Sequence, residues 1–206
     1  MKKEESETDT KKKILQSAYM VFTQKGVNGA GIKEIADRAE VNKAMLYYYF
    51  DSKEHLFREV FRMAVEESGM KALEILERED VGLFDKIRKY IELLTNRLMD
   101  NPVVISFVMN EVNRHPDKLA ELLVDTLTFD ATVLERQITE AADRYEIARI
   151  NPKQLLANVT ALCLGPIVNR SYYTALLDIS GEEQYRSFLN ERNGIIYDMT
   201  ISWLTS

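Results

Sequence analysis

The 206-residue sequence contains few of the residues that interrupt helices or cross-link chains: eight glycines, four prolines and one cysteine. The single Cys163 excludes an internal disulfide framework and fits a reducing compartment. No window holds the roughly 18 uncharged apolar residues that a membrane-spanning helix requires. The first ten residues are charged and no apolar run follows them, so we expect no signal peptide. These absences favour a cytoplasmic protein without a membrane partner.

The net charge of −6 is distributed unevenly along the chain. Residues 11–62 contain ten Lys or Arg and six Asp or Glu, which gives +4, whereas residues 1–10 carry −2 and residues 63–206 carry −8. The asymmetry separates a basic N-terminal module from an acidic remainder. A basic module is compatible with a nucleic-acid partner, although a run of charge is also typical of an ordinary solvated face.

Apolar residues recur at helical spacing throughout, so the sequence predicts an all-α fold of about nine helices. The first helix is expected to start at an N-cap, Thr10, and to end at Gly26, after a disordered tail of residues 1–9. Two short helices follow, separated by a tight turn at Glu40–Val41, and Asn42 is expected to cap the second of them.

Longer helices are predicted for the rest of the chain. One is expected to start at Asp51 or Ser52 and to continue to about residue 79. Others are expected before Asn101–Pro102, before His115–Pro116, from Pro116 to about Arg149, from Asn151 to about residue 178, and after the Ser180–Gly181 break.

Two short helices joined by a tight turn and supported by a preceding helix form a helix-turn-helix. Leu46 and Phe50 lie four residues apart and are expected to turn the inner side of the second short helix toward the core. Three consecutive tyrosines, Tyr47–Tyr49, cannot all face one core, because successive helical positions rotate by about 100°. At least one of these rings must therefore lie outside.

An outward face of this kind is suited to DNA, because such a helix lies in the major groove and presents its N-terminal residues to base edges. Lys43 is expected to donate to guanine, and Ala44 or Met45 to contact a thymine methyl group. Tyrosine hydroxyls and Lys53, in the first turn of the next helix, are expected to bind phosphate oxygens. In the alternative interpretation the tyrosines pack on neighbouring helices and Lys53 is only solvated.

The stretch "GIKEIADRAEVNKAMLYYYFDSKEHLF" resembles the DNA-binding region of the TetR family of bacterial transcriptional repressors. The residues that match the family pattern are Ile35, Ala36, Ala39, Val41, Leu46, Tyr47, Tyr49, Phe50, Ser52, Lys53 and Leu56. The resemblance implies a DNA-binding domain over residues 10–55 and a helical ligand-binding and dimerisation domain over residues 56–206, with the helix at its start as connecting lever. The DNA-binding residues that it implies are Lys33, Asn42, Lys43, Ala44, Met45, Tyr47, Tyr48, Tyr49 and Lys53.

Three positions depart from the family pattern. Ala30 and Gly31 replace the threonines before the second helix, so the N-cap hydroxyl and its phosphate contact are expected to be absent. Glu40 replaces the turn glycine, which costs on the order of 1 kcal/mol if that position is left-handed. Ala44 replaces a glycine that affects how closely the helix approaches DNA. These departures are expected to affect which operator sequence the protein recognises, and they leave the helix-turn-helix itself intact.

Nothing in residues 63–206 forms a catalytic motif, so we expect no enzyme, no metal and no cofactor. Glu111 and His115 lie four residues apart, but helical di-iron sites need Glu-x-x-His pairs, and this spacing does not occur. Cys163 lies among Ala161, Leu162 and Leu164, which is typical of a small buried apolar residue.

The resemblance further implies a largely apolar small-molecule effector and a homodimer. Candidate ligand-binding residues are Phe107, Met109, Glu111, Phe129, Asn158 and Leu162. The last two predicted helices have more than one apolar face, and the candidate dimer-interface residues on them are Tyr172, Tyr173, Ile195, Met199 and Trp203. A two-fold dimer fits a palindromic double-stranded DNA operator.

Two alternatives to a repressor remain open at the level of sequence. In the first, the chain is a helical small-molecule-binding protein or enzyme whose helix-turn-helix has lost DNA affinity, with Glu40 and the missing threonines as symptoms. In the second, the chain is an activator, because the sequence does not distinguish the sign of regulation.

Overall fold

The structure, a computed structural model, describes residues 2–67, 71–127 and 129–206, and within these ranges it contains twelve α-helices and no strand. The predicted all-α class is therefore confirmed, with three helices more than expected. The helices are α1 (Lys2–Gly29), α2 (Ile32–Arg38), α3 (Lys43–Tyr49), α4 (Lys53–Val65), α5 (Lys71–Glu77), α6 (Leu83–Asp100), α7 (Pro102–Arg114), α8 (Pro116–Thr126), α9 (Thr132–Asp143), α10 (Pro152–Val168), α11 (Arg170–Leu176) and α12 (Gly181–Leu204).

The backbone contacts divide the chain into two units. The first unit comprises residues up to 66 together with residues 103–126, so it contains α1–α4, α7 and α8. The second comprises residues 67–102 and 127–206, with α5, α6 and α9–α12. Two helices from the middle of the chain thus belong with the N-terminal helices.

Aromatic side chains join α1, α4 and α7 in the first unit. Phe57 contacts the ring of Phe22 on α1 at a centroid distance of 5.4 Å and the ring of Phe107 on α7 at 6.1 Å. Phe61, one turn further along α4, lies 6.3 Å from Phe107. Edge-to-face pairs of this kind contribute about 0.5–1.5 kcal/mol each beyond the area that they bury. The aromatic cluster therefore holds α7 against the helices that carry the N-terminal module.

Helix α6 lies at the centre of the second unit, where it contacts α5, α9, α10 and α12. The Tyr90 hydroxyl lies 2.8 Å from Oγ1 of Thr160 on α10, which satisfies two polar groups in the interior. The buried Lys86 donates from its ammonium to the carbonyl of Leu76, at the end of α5. None of the helices in the described ranges combines the length and apolar character that a membrane span requires.

The first helix begins at Lys2, so the disordered tail predicted for residues 1–9 is wrong over residues 2–9, and Met1 lies outside the described residues. Thr10 lies inside this helix and is not its N-cap. Lys and Glu dominate the segment, and both are good helix formers, with acids favoured near a helix N-terminus. Gly26 does interrupt the helix as predicted, with φ 66° and ψ 174°.

The long predicted helix from Pro116 to about Arg149 is in fact two, because α8 ends at Thr126 and α9 begins at Thr132. Between them, the Asp130 carboxylate accepts from the backbone N–H and the hydroxyl of Thr132, a local alternative to helical hydrogen bonds. The predicted helix over residues 151–178 is likewise divided at Asn169. The fourth predicted helix corresponds to α4 and α5, and residues 68–70 within it lie outside the described residues.

Candidate nucleic-acid interface

A left-handed turn joins α2 to α3. The N–H of Val41 donates to the carbonyl of Ala36 (3.0 Å), and the N–H of Glu40 donates to that of Asp37 (3.2 Å). This pair of bonds is the Schellman arrangement that ends many helices, and it requires positive φ at its central residue. Glu40 has φ 58°, so the expected cost of placing a non-glycine residue in the left-handed region applies here.

Helix α3 is oriented by one cap and two buried anchors. The side chain of Asn42 accepts from the N–H of Met45 at 2.8 Å, so the predicted N-cap is confirmed. Leu46 and Phe50 are both 0% exposed and fix which side of the helix faces the core, as predicted. The anchors therefore leave the opposite side of α3 to solvent.

The outward side of α3 carries the residues that the sequence analysis assigned to DNA. Tyr48 is 73% exposed and Tyr47 is 46% exposed, whereas Tyr49 is half-buried with its ring 5.1 Å from that of Tyr48. Lys43, Ala44 and Met45 are exposed as well. At least two of the three tyrosines thus have no place in the core.

The N-terminus of α4 follows α3 after a short connection. The Ser52 hydroxyl accepts from the N–H of His55 (3.0 Å), which identifies Ser52, rather than Asp51, as the N-cap. Lys53 is half-buried in the first helical turn, where its ammonium and the helix dipole both favour an anion.

The N-terminus of α2 lacks a side-chain cap, as the sequence predicted. Gly31 is the N-cap residue and makes no side-chain bond to the helix. Lys33 is exposed in the first turn, while the neighbouring Glu34 is paired with Lys25 of α1 at 2.6 Å. In the ranges that the structure describes, Lys33, Lys43 and Lys53 have no ion-pair partner, so their charges are available to a ligand.

Three consecutive exposed lysines, residues 11–13, also lie on the first unit and are not among the predicted DNA-binding residues. The Lys11 ammonium lies 5.7 Å from the centroid of the Phe50 ring, at the end of α3. The run of lysines is visible in the sequence and could have identified Lys11 as a candidate. The position of Lys11 beside α3, however, depends on the packing of α1.

The structure divides the predicted ligand-binding residues between the two units. Phe107 and Glu111 are buried on α7 of the first unit, and Met109 is half-buried on the same helix. Phe129 and Leu162 are half-buried in the second unit, where Asn158 is exposed on α10.

The predicted dimer-interface residues are largely exposed on α11 and α12. Met199 is 55% exposed, Ile195 is 45% exposed and Trp203 is 38% exposed. Because they lie four residues apart, these three form one stripe along α12. Tyr172 is 63% exposed on α11, and Tyr173 is half-buried with its ring 5.4 Å from that of Tyr172.

Comparison with known proteins agrees with this geometry. Residues 14–60, which run from α1 into α4, match the family model described as bacterial regulatory proteins, tetR family. The "HTH-type transcriptional regulator RutR" of Escherichia coli (strain K12) is 32% identical over 157 residues, covering 73% of this chain and 70% of RutR. The "Probable HTH-type transcriptional regulator YttP" of Bacillus subtilis (strain 168) is 26% identical over 183 residues, covering 85% of this chain and 86% of YttP.

Among solved structures, that of HlyIIR, a hemolysin II transcriptional regulator, has a TM-score of 0.64 at 24% identity. The alignment covers 97% of this chain and 99% of HlyIIR, so the two share their fold over nearly the whole length. The helix-turn-helix with its outward tyrosines, the family model over residues 14–60 and the identity to RutR agree. The chain belongs to the TetR family of bacterial transcriptional regulators.

Proposed function

We propose that the chain is a repressor that binds a palindromic duplex operator in the cytoplasm as a homodimer and is released from it by a small molecule. The observation that carries the proposal is the outward side of α3, where Lys43, Tyr47 and Tyr48 are exposed beside Lys53 at the start of α4. Lysine and tyrosine groups of this kind bind phosphates and base edges.

The exposed stripe of Ile195, Met199 and Trp203 on α12 supports a homodimer. Large apolar side chains that line one face of a helix mark an interaction surface, since water solvates them poorly. A two-fold dimer would place two copies of α3 about one DNA turn, roughly 34–36 Å, apart, which matches a palindrome. Tyr172 and Tyr173 are proposed to extend the same interface.

The buried and half-buried residues named above remain our candidates for effector binding, with Phe107, Met109 and Glu111 in the first unit and Phe129 and Leu162 in the second. Phe107 on α7 contacts Phe57 and Phe61 on α4, the helix that follows α3. These contacts support coupling between a ligand bound at α7 and the position of α4. A ligand that prefers the DNA-free arrangement by about 1–3 kcal/mol weakens DNA binding by roughly 5- to 150-fold. Asn158, being exposed, is a weaker candidate than the others.

Fluorescence anisotropy with duplex DNA from upstream of the protein's own gene tests DNA binding. Lys43→Ala and Tyr47→Phe are each expected to weaken binding by about tenfold, because each removes one contact worth about 1.5 kcal/mol to a charged or polar group. Lys89→Ala and Tyr145→Phe, at exposed positions of the second unit, are the matched controls and should bind as the wild type does.

Salt dependence gives a second readout. Affinity should fall steeply with rising salt, because bound lysines release counterions from the DNA backbone. Circular dichroism should be unchanged in all four variants, since each side chain is exposed. Unchanged affinity in both α3 variants, or a flat salt dependence, would contradict the proposal and favour a helical small-molecule-binding protein without DNA affinity.

A further inference from the structure

A cleft of about 610 Å³ lies in the first unit, beside the predicted DNA-binding surface. It is formed by the last turn of α1, the first two turns of α4 and the start of α8. Phe57 and Leu119, each 4% exposed, and Val27 provide its apolar lining. The volume lies within the range of about 300–1,000 Å³ that is typical of small-molecule sites.

Four of the five charged Lys, Arg, Asp and Glu side chains that line this cleft are sorted by helix, and Glu54 on α4 is the exception. Helix α4 contributes Lys53 and Arg58, and α8 contributes Asp117 and Glu121, which are four residues apart on one helical face. Within the described ranges, none of these four groups has an ion-pair partner. Glu54, the acid that α4 adds to the lining, has an interaction of its own. One wall of the cleft therefore offers cations and the other offers carboxylates.

We propose that this cleft binds a zwitterion of about dipeptide size with an apolar body. The ligand carboxylate would meet Lys53 and Arg58, the ligand ammonium would meet Asp117 and Glu121, and apolar side chains would cover Phe57. Guanidinium–carboxylate bonds are the stronger class of hydrogen bond, so Arg58 is the main anchor. A ligand with charge of only one sign leaves the opposite wall unpaired, and the cleft therefore selects against it.

The position of Lys53 gives binding a consequence that rests on the proposed function. Lys53 lines the cleft and is also the predicted phosphate contact at the start of α4. A carboxylate on its ammonium lowers the positive charge that is available to DNA. Occupancy of the cleft is therefore expected to weaken operator binding, independently of any ligand bound at the candidate effector residues.

Isothermal titration calorimetry of the full chain without DNA tests the cleft, using the dipeptide leucyl-phenylalanine as the probe. Two blocked forms are the ligand controls: N-acetyl-leucyl-phenylalanine lacks the ammonium, and leucyl-phenylalanine amide lacks the carboxylate. Both are expected to bind at least about tenfold more weakly than the zwitterion. Because DNA is absent, the result does not depend on operator binding.

Two variants locate the site. Arg58→Gln and Asp117→Asn, both at exposed positions, are expected to weaken dipeptide binding at least about tenfold. Arg62→Gln, on α4 outside the lining, is the control and should bind the dipeptide as the wild type does. Absence of heat at about 1 mM dipeptide, equal binding of either blocked form, or wild-type affinity in Arg58→Gln would overturn the proposal.

The effect of the dipeptide on DNA binding is tested by fluorescence anisotropy of operator DNA, measured with and without saturating dipeptide. A roughly tenfold or greater loss of operator affinity supports the shared role of Lys53, and unchanged affinity overturns it. Failure of the unliganded protein to bind any DNA contradicts the proposed function instead, and the calorimetry then still decides the cleft.

Discussion

The carboxylate of Glu111 on α7 packs against the backbone of Gly26, where α1 breaks. A Cβ atom at position 26 would lie 2.8 Å from Oε1 of Glu111, closer than real Cβ contacts occur. Glu111 is 1% exposed, and its Oε2 has no hydrogen-bond partner in the described part of the chain. Because residue 26 has no side chain, the Glu111 carboxylate can lie this close to the backbone of α1, and a Cβ atom there would force the carboxylate to shift.

We expect Gly26→Ala to lower the free energy of unfolding by about 2–4 kcal/mol. About 1–2 kcal/mol arises from the left-handed φ of 66°, and the rest from overpacking against Glu111. The measurement is urea denaturation of four proteins: wild type, Gly26→Ala, Glu111→Ala and the double variant. In the Glu111→Ala background the cost of Gly26→Ala should fall to about 1–2 kcal/mol, because the clash is gone. Equal costs in both backgrounds would show that the carboxylate is not the obstacle.

Glu40→Gly is expected to stabilise the protein by about 0.5–1 kcal/mol. The substitution removes the strain of φ 58° but increases the backbone entropy of the unfolded chain, so the gain is only part of the strain energy. Tyr145→Gly is a matched control, since Tyr145 is 96% exposed at φ 60° in a turn with the same hydrogen bonds. Denaturant midpoints measure both effects. Asp37→Gly, inside α2, should instead destabilise by about 1 kcal/mol.

Removal of the Glu40 carboxylate is also expected to change the affinity for operator DNA. Glu40→Gly should raise operator affinity severalfold at low salt and less at high salt, because a carboxylate near phosphates is repelled and salt screens the repulsion. A destabilised Glu40→Gly protein would show that the left-handed turn is not strained by the glutamate.

Met199→Asp is expected to convert the proposed dimer into monomers at micromolar concentration. A charge placed in the centre of an apolar interface loses its solvation without gaining a partner, which weakens association by at least about tenfold. Size-exclusion chromatography with light scattering gives the mass directly. Val124→Asp is the control, because Val124 is also a highly exposed apolar residue, at 71%, but lies on α8. Equal dissociation by both variants, or by neither, would exclude the α12 stripe as the interface.

Burial of Cys163 predicts a pH dependence of stability. Burial raises the pKa of its thiol from 9.0 to about 11, and the nearby Thr95 and Arg192 lower it only in part. Because the folded pKa is above the unfolded one, the stabilisation is complete below about pH 9 and is lost as pH rises toward 11, by roughly 2–3 kcal/mol. The stability difference between wild type and Cys163→Ala should shrink over this window. A constant difference from pH 8 to pH 11 would contradict the prediction.

The local patterns around α3 determined much of the candidate interface. Asn42 and Ser52 cap their helices as their residue types predict, because a short side-chain oxygen before an apolar run satisfies a free N–H wherever the helix is placed. The four-residue spacing of Leu46 and Phe50 was sufficient to decide which side faces the core and which tyrosines lie outside. These are interactions within a few residues, and one sequence contains them completely.

Helix ends without such signals were less predictable. The start of α1 at Lys2 and the break between α8 and α9 depend on weak local preferences. Moving either boundary leaves the apolar periodicity unchanged, so the periodicity does not locate it. Tyr145 and Asp178 end helices in the left-handed region although neither is the glycine that usually marks such a turn.

By itself, then, the sequence determined the all-α class, the helix-turn-helix and the outward side of its second helix, because these follow from spacing and capping along the chain. Only the tertiary structure decided that α7 and α8 pack with the N-terminal helices, that Glu111 lies against Gly26, and that Arg58 and Asp117 line one cleft. These contacts join residues about 60 to 85 positions apart. Such pairing depends on complementary shape and burial between whole helices, and periodicity along a single chain does not encode which faces meet.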